Sequence, residues 1–124
     1  MRELRVGIDI IEVDDVAESL GRFGDGYLHR VFSDAELVSA DDVSAKDVAA
    51  RFAAKEAAMK AMGDFDEPLD WRSIEVMSTP DGRQLRLTGR AAESAHELGV
   101  RRWSISTSVT ERYALAIALA AVEA

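Results

Sequence analysis

Apolar side chains near the start of the chain recur at every second position, which is the period of a β-strand. Over residues 4–13, one face of an extended segment carries Val6, Ile8 and Ile10, and the other carries Gly7, Asp9, Ile11 and Val13. Because both faces are largely apolar, the pattern predicts a strand that is buried on both sides.

Helical signals follow, and the clearest of them are caps. Ser33 and Glu36 have the spacing of a capping box, in which each side chain accepts a hydrogen bond from a free backbone amide. Ser44 begins an Ala-rich helix that runs to Met62 and ends at Gly63. Weaker signals predict a helix over 14–21, loops at 24–26 and 40–43, and a turn of helix over 27–32.

The second half of the chain returns to strands. Residues 74–77 and 84–88 read as a hairpin around a Thr-Pro-Asp-Gly turn at 79–82, after an acidic loop over 64–70. A helix over 90–98 ends at Gly99, and strands over 103–109 and 113–122 complete the chain. This order predicts one α+β domain over residues 1–124, with an antiparallel sheet packed on one face against the long helix and shorter helices.

Composition excludes several classes of protein. The 124 residues hold 48% hydrophobic and 31% charged side chains, a globular mixture, and no cysteine for a disulfide, a thiolate metal site or a nucleophile. The net charge of −8 argues against a nucleic-acid partner, because phosphate contacts need a basic surface. No apolar run is long enough to span a bilayer, and the first residues do not resemble a secretory signal. We therefore expect a soluble cytoplasmic protein without a membrane partner.

Two carboxylates are candidates for chemistry. Asp9 lies between Ile8 and Ile10 in a strand, where an unpaired charge is costly, and Glu56 borders the apolar stripe of the long helix. A strand carboxylate and a helix carboxylate could together hold Mg²⁺, which takes one or two protein carboxylates and leaves its other positions to water and phosphate. The simpler reading is a salt-bridged Asp9 and an ordinary i, i+4 pair between Glu56 and Lys60. Spacing alone favours this simpler reading.

Longer motifs change that balance. The segments GIDIIEV at 7–13, FSDAE at 32–36 and ARFAAKEA at 50–57 resemble the signatures of the holo-acyl-carrier-protein synthases, the small 4′-phosphopantetheinyl transferases. The later order is also similar: IEV at 74–76, the Ala-rich helix before Gly99, SIS at 104–106 and YA at 113–114. The likeness extends over essentially the whole chain, and residues 51–57 are its most specific part.

The resemblance implies a magnesium-dependent transfer of 4′-phosphopantetheine from coenzyme A, the co-substrate, to a serine of an apo acyl or peptidyl carrier protein. By position, Asp9 and Glu56 match the metal-binding acids, and Lys60 and Glu56 the catalytic residues. Lys60 would act as a cation, or as a general base if its pKa were lowered. The resemblance also places coenzyme A contacts at Arg51, Lys60, Gly63, Ser106 and Thr107. Arg51 could equally be a plain surface arginine.

The family is a trimer with active sites between subunits, so the resemblance also implies a homotrimer, and part of the last strand would then face a neighbour. The alternative for this strand is a place in the core of its own subunit. Periodicity does not separate the two.

The chain departs from the family pattern in three segments. Asp15 stands where the family usually has an arginine that meets an acidic carrier protein. Asp64 and Asp66 follow Gly63 where the family usually has Gly-Thr-Gly, and Thr107 replaces a histidine that some members lack. We therefore expect a preferred carrier protein that is less acidic at its docking helix.

Two other functions compete with the transferase. The first is a non-catalytic oligomeric module of the same fold, which binds a carrier protein or synthase without modifying it. The acids Asp15, Asp64 and Asp66 favour this module, whereas the retained Asp9, Glu56 and Lys60 favour catalysis. The second is a metal-dependent phosphohydrolase, which nothing in the sequence favours.

Overall fold

The computed structural model describes residues 2–40, 43–63 and 69–123. Five helices, five strands and one 3₁₀ turn follow each other along these residues. In chain order they are β1 (Arg2–Glu12), α1 (Val13–Phe23), α2 (Asp25–Val31), α3 (Asp34–Ser39), α4 (Ala45–Met62), the 3₁₀ turn (Trp71–Ser73), β2 (Ile74–Thr79), β3 (Gly82–Leu87), α5 (Gly89–Leu98), β4 (Val100–Val109) and β5 (Tyr113–Glu123). The predicted helices and strands are confirmed with small shifts of their ends, and the α+β class is confirmed. Helix α2 begins at Asp25, inside the loop predicted over 24–26, and the loops predicted over 40–43 and 64–70 lie partly outside the described residues.

The predicted caps are present where the sequence placed them. The Ser33 hydroxyl accepts a hydrogen bond from the backbone N–H of Glu36, and the Glu36 carboxylate accepts one from the backbone N–H of Ser33. Ser44 caps α4 by accepting from the N–H of Asp47, and α4 ends at Gly63, whose φ of 108° suits a residue without Cβ. Local chemistry therefore sets the ends of both helices.

The strands form two sheets, whereas the order of elements in the sequence predicted one. β1, β5 and β4 make an antiparallel sheet in the order β1-β5-β4, and β2 and β3 form a separate antiparallel hairpin. The residues at the ends of β2 and β3, Thr79 and Gly82, pair across the turn, as the Thr-Pro-Asp-Gly pattern predicts. Hairpins form from neighbouring residues, but the partner of β1 is the most distant strand in the chain, and local patterns carry no information about that pairing.

Small side chains let α4 lie close to the three-stranded sheet. Most of the buried positions of α4 are alanines, and the face of β5 that meets this helix carries Ala114, Ala116, Ala118 and Ala120, all at most 1% exposed. On β1, Gly7 meets the backbone of α4, because a Cβ there would lie 1.8 Å from the Ala57 carbonyl oxygen. The core therefore lies between α4 and one face of the sheet.

The opposite face of this sheet is apolar and exposed, so the prediction that β1 is buried on both sides is wrong for the single chain. Leu4, Val6, Ile8 and Ile10 of β1 are 52–69% exposed. Leu115, Ile117 and Leu119 of β5 stand beside them and are 36–39% exposed. We call these seven residues the apolar sheet face.

Within the described residues, no helix has the length and apolar composition that crossing a bilayer requires. The cytoplasmic location expected from the sequence stays a prediction.

Candidate active site

A pocket of about 370 Å³ opens where β1, α1 and α4 meet. Its polar lining is Asp9 from β1, Asp15 and Ser19 from α1, and Glu56 and Lys60 from α4. Its apolar lining includes Ile11, Val16, Tyr27 and Phe52. The two carboxylates and the lysine singled out in the sequence thus face one cavity, although about 50 residues separate Asp9 from the other two.

Asp9 reaches the pocket because β1 alternates. It lies two residues after Gly7, on the face that meets α4, and its side chain is only 13% exposed. The ammonium Nζ of Lys60 donates to Asp9 Oδ1 at 2.8 Å and to the backbone oxygen of Ile8 at 3.2 Å. Lys60 thus links α4 to β1 at the edge of the pocket.

Glu56 lies one helical turn before Lys60 on α4. Burial raises the pKa of the Glu56 carboxyl, the nearby charge of Asp9 raises it further, and Lys60 lowers it. The hydrogen bond to Asp9 is the main cause that raises the pKa of Lys60, with Coulombic help from Asp9 and Glu56. Folding therefore brings two like charges together and compensates them with one ammonium group.

This arrangement fits a divalent cation. The described residues contain no group of three or more His, Cys, Asp or Glu side chains close enough to hold an ion, so a protein cage is absent from that part of the chain. Two carboxylates at one pocket are what Mg²⁺ typically takes from a protein when substrate phosphates supply further oxygens. Burial first, and then the charge of Asp9, raise the pKa of Glu56, and a bound cation would favour the ionised carboxylate against both effects.

Arg51 does not line this pocket. Its side chain is 1% exposed, its Nε donates to Asp47 Oδ2 at 2.9 Å, and its guanidinium lies over the Phe32 ring, 4.5 Å from the centroid. The reading of Arg51 as a plain surface arginine is therefore wrong. Its predicted contact with coenzyme A stays a prediction, and in this conformation the guanidinium is enclosed by protein.

Of the other predicted coenzyme A contacts, Lys60 lines the pocket, whereas Gly63, Ser106 and Thr107 lie outside it. The backbone N–H of Gly63 is used at the end of α4, where it donates to the carbonyls of Met59 and Lys60. Ser106 and Thr107 are neighbours on β4 and point to opposite faces of the sheet. Ser106 pairs with Ile117 beside the apolar sheet face, and Thr107 is on the α4 side. One subunit alone does not gather these residues around Asp9 and Glu56.

The residues that depart from the family pattern lie in different parts of the structure. Asp15 is exposed and lines the pocket itself, so an acid stands at its mouth. Thr107 is half-buried on β4. Asp64 and Asp66 lie outside the described residues.

A buried ion pair next to the site was missed in the sequence. Lys55 and Glu36 are both fully buried, and Lys55 Nζ lies 2.6 Å from Glu36 Oε1. Burial lowers the pKa of Lys55 to about 8, against the opposing effect of Glu36. The signal was present, because Lys55 lies three residues after Phe52 and seven after Val48, on the apolar stripe of α4.

Comparison with known proteins gives one consistent family. A family model of the 4′-phosphopantetheinyl transferase superfamily matches residues 5–118. The holo-[acyl-carrier-protein] synthase of Koribacter versatilis is 44% identical over 117 residues, which cover 91% of this chain and 94% of that protein. The family-model match includes the positions of Asp9, Glu56 and Lys60.

Solved structures agree. The crystal structure of the holo-ACP-synthase from Plasmodium yoelii has a TM-score of 0.85 and 27% identity, covering 100% of this chain and 99% of that one. The Chronobacterium ammoniagenes ACPS-CoA complex has a TM-score of 0.83 and 30% identity, with coverage of 98% and 99%. Because its sequence and its fold both match, the chain belongs to the 4′-phosphopantetheinyl transferase superfamily.

Proposed function

We propose that this protein transfers the 4′-phosphopantetheine group of coenzyme A to a serine of an apo acyl or peptidyl carrier protein, with Mg²⁺ as cofactor. The observation that carries the proposal is the convergence of Asp9, Glu56 and Lys60 on one pocket. Its similarity to holo-[acyl-carrier-protein] synthases, and to a structure of such a protein with coenzyme A, supports the choice of substrates.

Asp9 and Glu56 are the residues that would hold the magnesium ion. When bound, the ion supplies positive charge to the diphosphate of coenzyme A and orients it. The remaining chemistry belongs to the chain itself. Asp9 is fixed in β1 and Glu56 in α4, so both are held by regular elements rather than by loops, which suits a reaction that depends on positioning.

Lys60 acts as a cation in this proposal rather than as a general base. Its pKa is raised, chiefly by the hydrogen bond to Asp9, so the ammonium stays protonated at neutral pH. A general base would need a lowered pKa. A charged ammonium beside the diphosphate would instead stabilise the charge that develops on the phosphoryl oxygens during transfer.

The reaction is a phosphoryl transfer. The serine oxygen of the carrier protein forms a bond to the phosphorus that bears pantetheine, and the hydroxyl proton passes to water. The bond between that phosphorus and the bridging oxygen of the diphosphate breaks, and the bridging oxygen keeps the electron pair. The adenosine bisphosphate leaves. Because such transition states are loose, positioning and charge neutralisation account for most of the catalysis.

We also infer that the active protein is a homotrimer with sites between subunits. The support from this chain is the apolar sheet face, which a second copy would cover, and the position of Ser106 beside it. In such an assembly a neighbouring subunit could add its predicted coenzyme A contacts to the pocket of Asp9 and Glu56. The interpretation of the last strand as partly facing a neighbour is the one that its exposed residues support.

A mass assay tests the transferase. The protein is incubated with coenzyme A, Mg²⁺ and several apo carrier proteins, and we expect a carrier to gain the mass of phosphopantetheine. Asp9→Ala and Glu56→Ala should abolish the gain, whereas Glu111→Ala, which removes an exposed carboxylate outside the pocket, should retain it. A gain that survives both pocket variants contradicts the metal assignment.

The same assay separates the alternatives. Carrier protein that binds to the chain without gaining mass would indicate the non-catalytic module. Coenzyme A that is cleaved without a gain of mass on the carrier would indicate the phosphohydrolase.

We further propose that the preferred carrier is less acidic than usual, because Asp15 lies exposed at the pocket mouth. Like charges across an interface lower the association rate, and salt relieves that repulsion. Modification of an acidic carrier should therefore become faster with added salt. At low salt, Asp15→Arg should speed it roughly ten-fold.

The control for this prediction is Asp81→Arg, which makes the same change in net charge at the exposed β2–β3 turn. It should leave the rate nearly unchanged. If the parent enzyme modifies the acidic carrier more slowly as salt rises, the proposal of a less acidic preferred carrier is wrong.

A further inference from the structure

The proposed reaction makes no use of a set of buried charges beside its pocket. Lys55 is fully buried in α4, and its ammonium has three hydrogen-bond acceptors. They are Glu36 Oε1 at 2.6 Å, the backbone oxygen of Trp71 at 2.9 Å and the backbone oxygen of Ile74 at 2.5 Å. An ammonium group has three N–H donors, so these acceptors match its capacity.

Glu36 is held just as completely. Its Oε1 also accepts from the backbone N–H of Ser33 at 3.0 Å, and its Oε2 accepts from the backbone N–H of Val76 at 2.9 Å. The pair therefore joins α3, α4 and the start of β2. Buried ion pairs are weak evidence for stability, because desolvation offsets most of their attraction. A role in fixing geometry is the better explanation to test.

Contacts connect Lys55 to the pocket through Trp71 and Phe52. Lys55 holds the backbone of Trp71 against α4, and the Trp71 ring packs on the Phe52 ring with centroids 5.1 Å apart and an angle of 40° between the planes. Phe52 lies three residues before Lys55 on α4 and lines the pocket together with Glu56. A short chain of contacts thus runs from the buried ammonium to the pocket wall.

We propose that Lys55 is a positioning residue for this enzyme: by binding the Trp71 carbonyl, it holds the Trp71 ring against Phe52 and so sets the shape of the pocket wall beside Glu56. The inference rests on the proposed transferase function. Phe52 would touch the bound coenzyme A but not the reacting atoms. Loss of Lys55 should therefore weaken binding more than the chemical step.

Two variants separate positioning from simple stabilisation. Lys55→Met and Glu36→Gln both break the buried ion pair, but only Lys55→Met removes the bond to the Trp71 carbonyl. Under conditions where circular dichroism shows both variants folded, we expect Lys55→Met to raise the KM for coenzyme A about ten-fold above that of Glu36→Gln, with a smaller effect on kcat. Equal KM values in the two variants would overturn the proposal.

A second variant covers the case in which Lys55→Met does not fold. Trp71→Leu removes the ring and leaves the buried pair and the backbone carbonyl in place. It should raise the KM for coenzyme A about as much as Lys55→Met, roughly ten-fold. An unchanged KM in Trp71→Leu would overturn the proposal, whatever happens to Lys55→Met.

Fluorescence gives a readout that does not depend on activity. In a Trp103→Phe background, which leaves Trp71 as the remaining tryptophan, Lys55→Met should shift the Trp71 emission to longer wavelength, and Glu36→Gln should not. If the parent protein transfers nothing, the proposed function fails, and the fluorescence still decides the positioning. The same emission in both variants would refute it.

Discussion

Gly7 illustrates how a single residue places the candidate site. A Cβ at this position would lie 1.8 Å from the backbone oxygen of Ala57 and 2.7 Å from the backbone nitrogen of Ala61. The strand and the helix can therefore approach this closely only at a residue without a side chain. Asp9, the next residue on the same face of β1, then lies within hydrogen-bond distance of Lys60.

We predict that Gly7→Ala destabilises the protein by about 3 kcal/mol, since backbone atoms of α4 cannot move aside as a flexible side chain could. Urea unfolding measures the change. Gly21→Ala is the matched control, because a Cβ at that helical position meets nothing within 4 Å. This control should be neutral or stabilising by up to about 1 kcal/mol. Equal losses in the two variants would contradict the close approach.

At the scale of elements, the Glu75 carboxylate connects the two strands of the β2–β3 hairpin and joins this hairpin to α3. Glu75 of β2 pairs across the hairpin with Arg86, whose Nε donates to Glu75 Oε1 at 2.7 Å. The Ser33 hydroxyl that caps α3 also donates to Glu75. Burial raises the pKa of the Glu75 carboxyl, but the bonds from Arg86 and Ser33 outweigh it, and the net pKa is lowered from its ordinary value of 4.5.

A lowered pKa makes this junction sensitive to acid. The unfolded chain binds a proton at Glu75 near pH 4.5, and the folded chain binds it only at lower pH, so stability falls as the pH drops below about 4.5. Glu75→Gln should lower the free energy of unfolding by about 2 kcal/mol at pH 7. The difference between variant and parent should become smaller at acidic pH, where Glu75 of the parent protein is protonated.

Denaturant unfolding at a series of pH values measures this dependence. Glu18→Gln is the control. Glu18 is exposed and lies 3.9 Å from Arg22 in an i, i+4 pair, and such exposed pairs contribute little to stability. Its replacement should therefore change the free energy of unfolding only slightly. A loss of stability in Glu75→Gln that is the same at pH 7 and at pH 3 would contradict the assignment.

At the scale of the whole molecule, the most prominent feature is the apolar sheet face, which is exposed to solvent in the single chain. Its central pair, Ile8 and Ile117, is directly in register across β1 and β5. A continuous apolar surface across two strands is typical of an interface and costly to leave in water. The proposed homotrimer would bury it in each subunit.

We predict that the protein sediments with three times the mass of one chain, and that Ile117→Asp dissociates it, because a charge at the centre of the face would be buried without a partner. Analytical ultracentrifugation measures both. Val38→Asp is the control: Val38 is 86% exposed on α3, outside the apolar sheet face, and its replacement should leave the mass unchanged. A parent protein with the mass of one chain would contradict the assembly.

Sequence reasoning was strongest where the cause is local. Four predicted features depend on residues a few positions apart, and all four are confirmed. They are the capping box at Ser33, the cap at Ser44, the end of α4 at Gly63 and the hairpin turn. The motif around residues 51–57 also indicated the family correctly. The same local patterns could not show that the strands divide into two sheets, since that depends on pairs more than 100 residues apart.

The amino-acid sequence by itself determined the helices, the hairpin and the identity of the acids that could hold a metal, because periodicity, caps and motifs are properties of short segments. Only the tertiary structure decided what those residues face. Packing of α4 on Gly7 brings Asp9 to Lys60 and Glu56, and the opposite face of β1 stays uncovered. Contacts with Phe32 and Glu36, which are distant in the chain, enclose Arg51 and Lys55. Burial and proximity arise from contacts between distant segments, and such contacts exist only once the chain has folded.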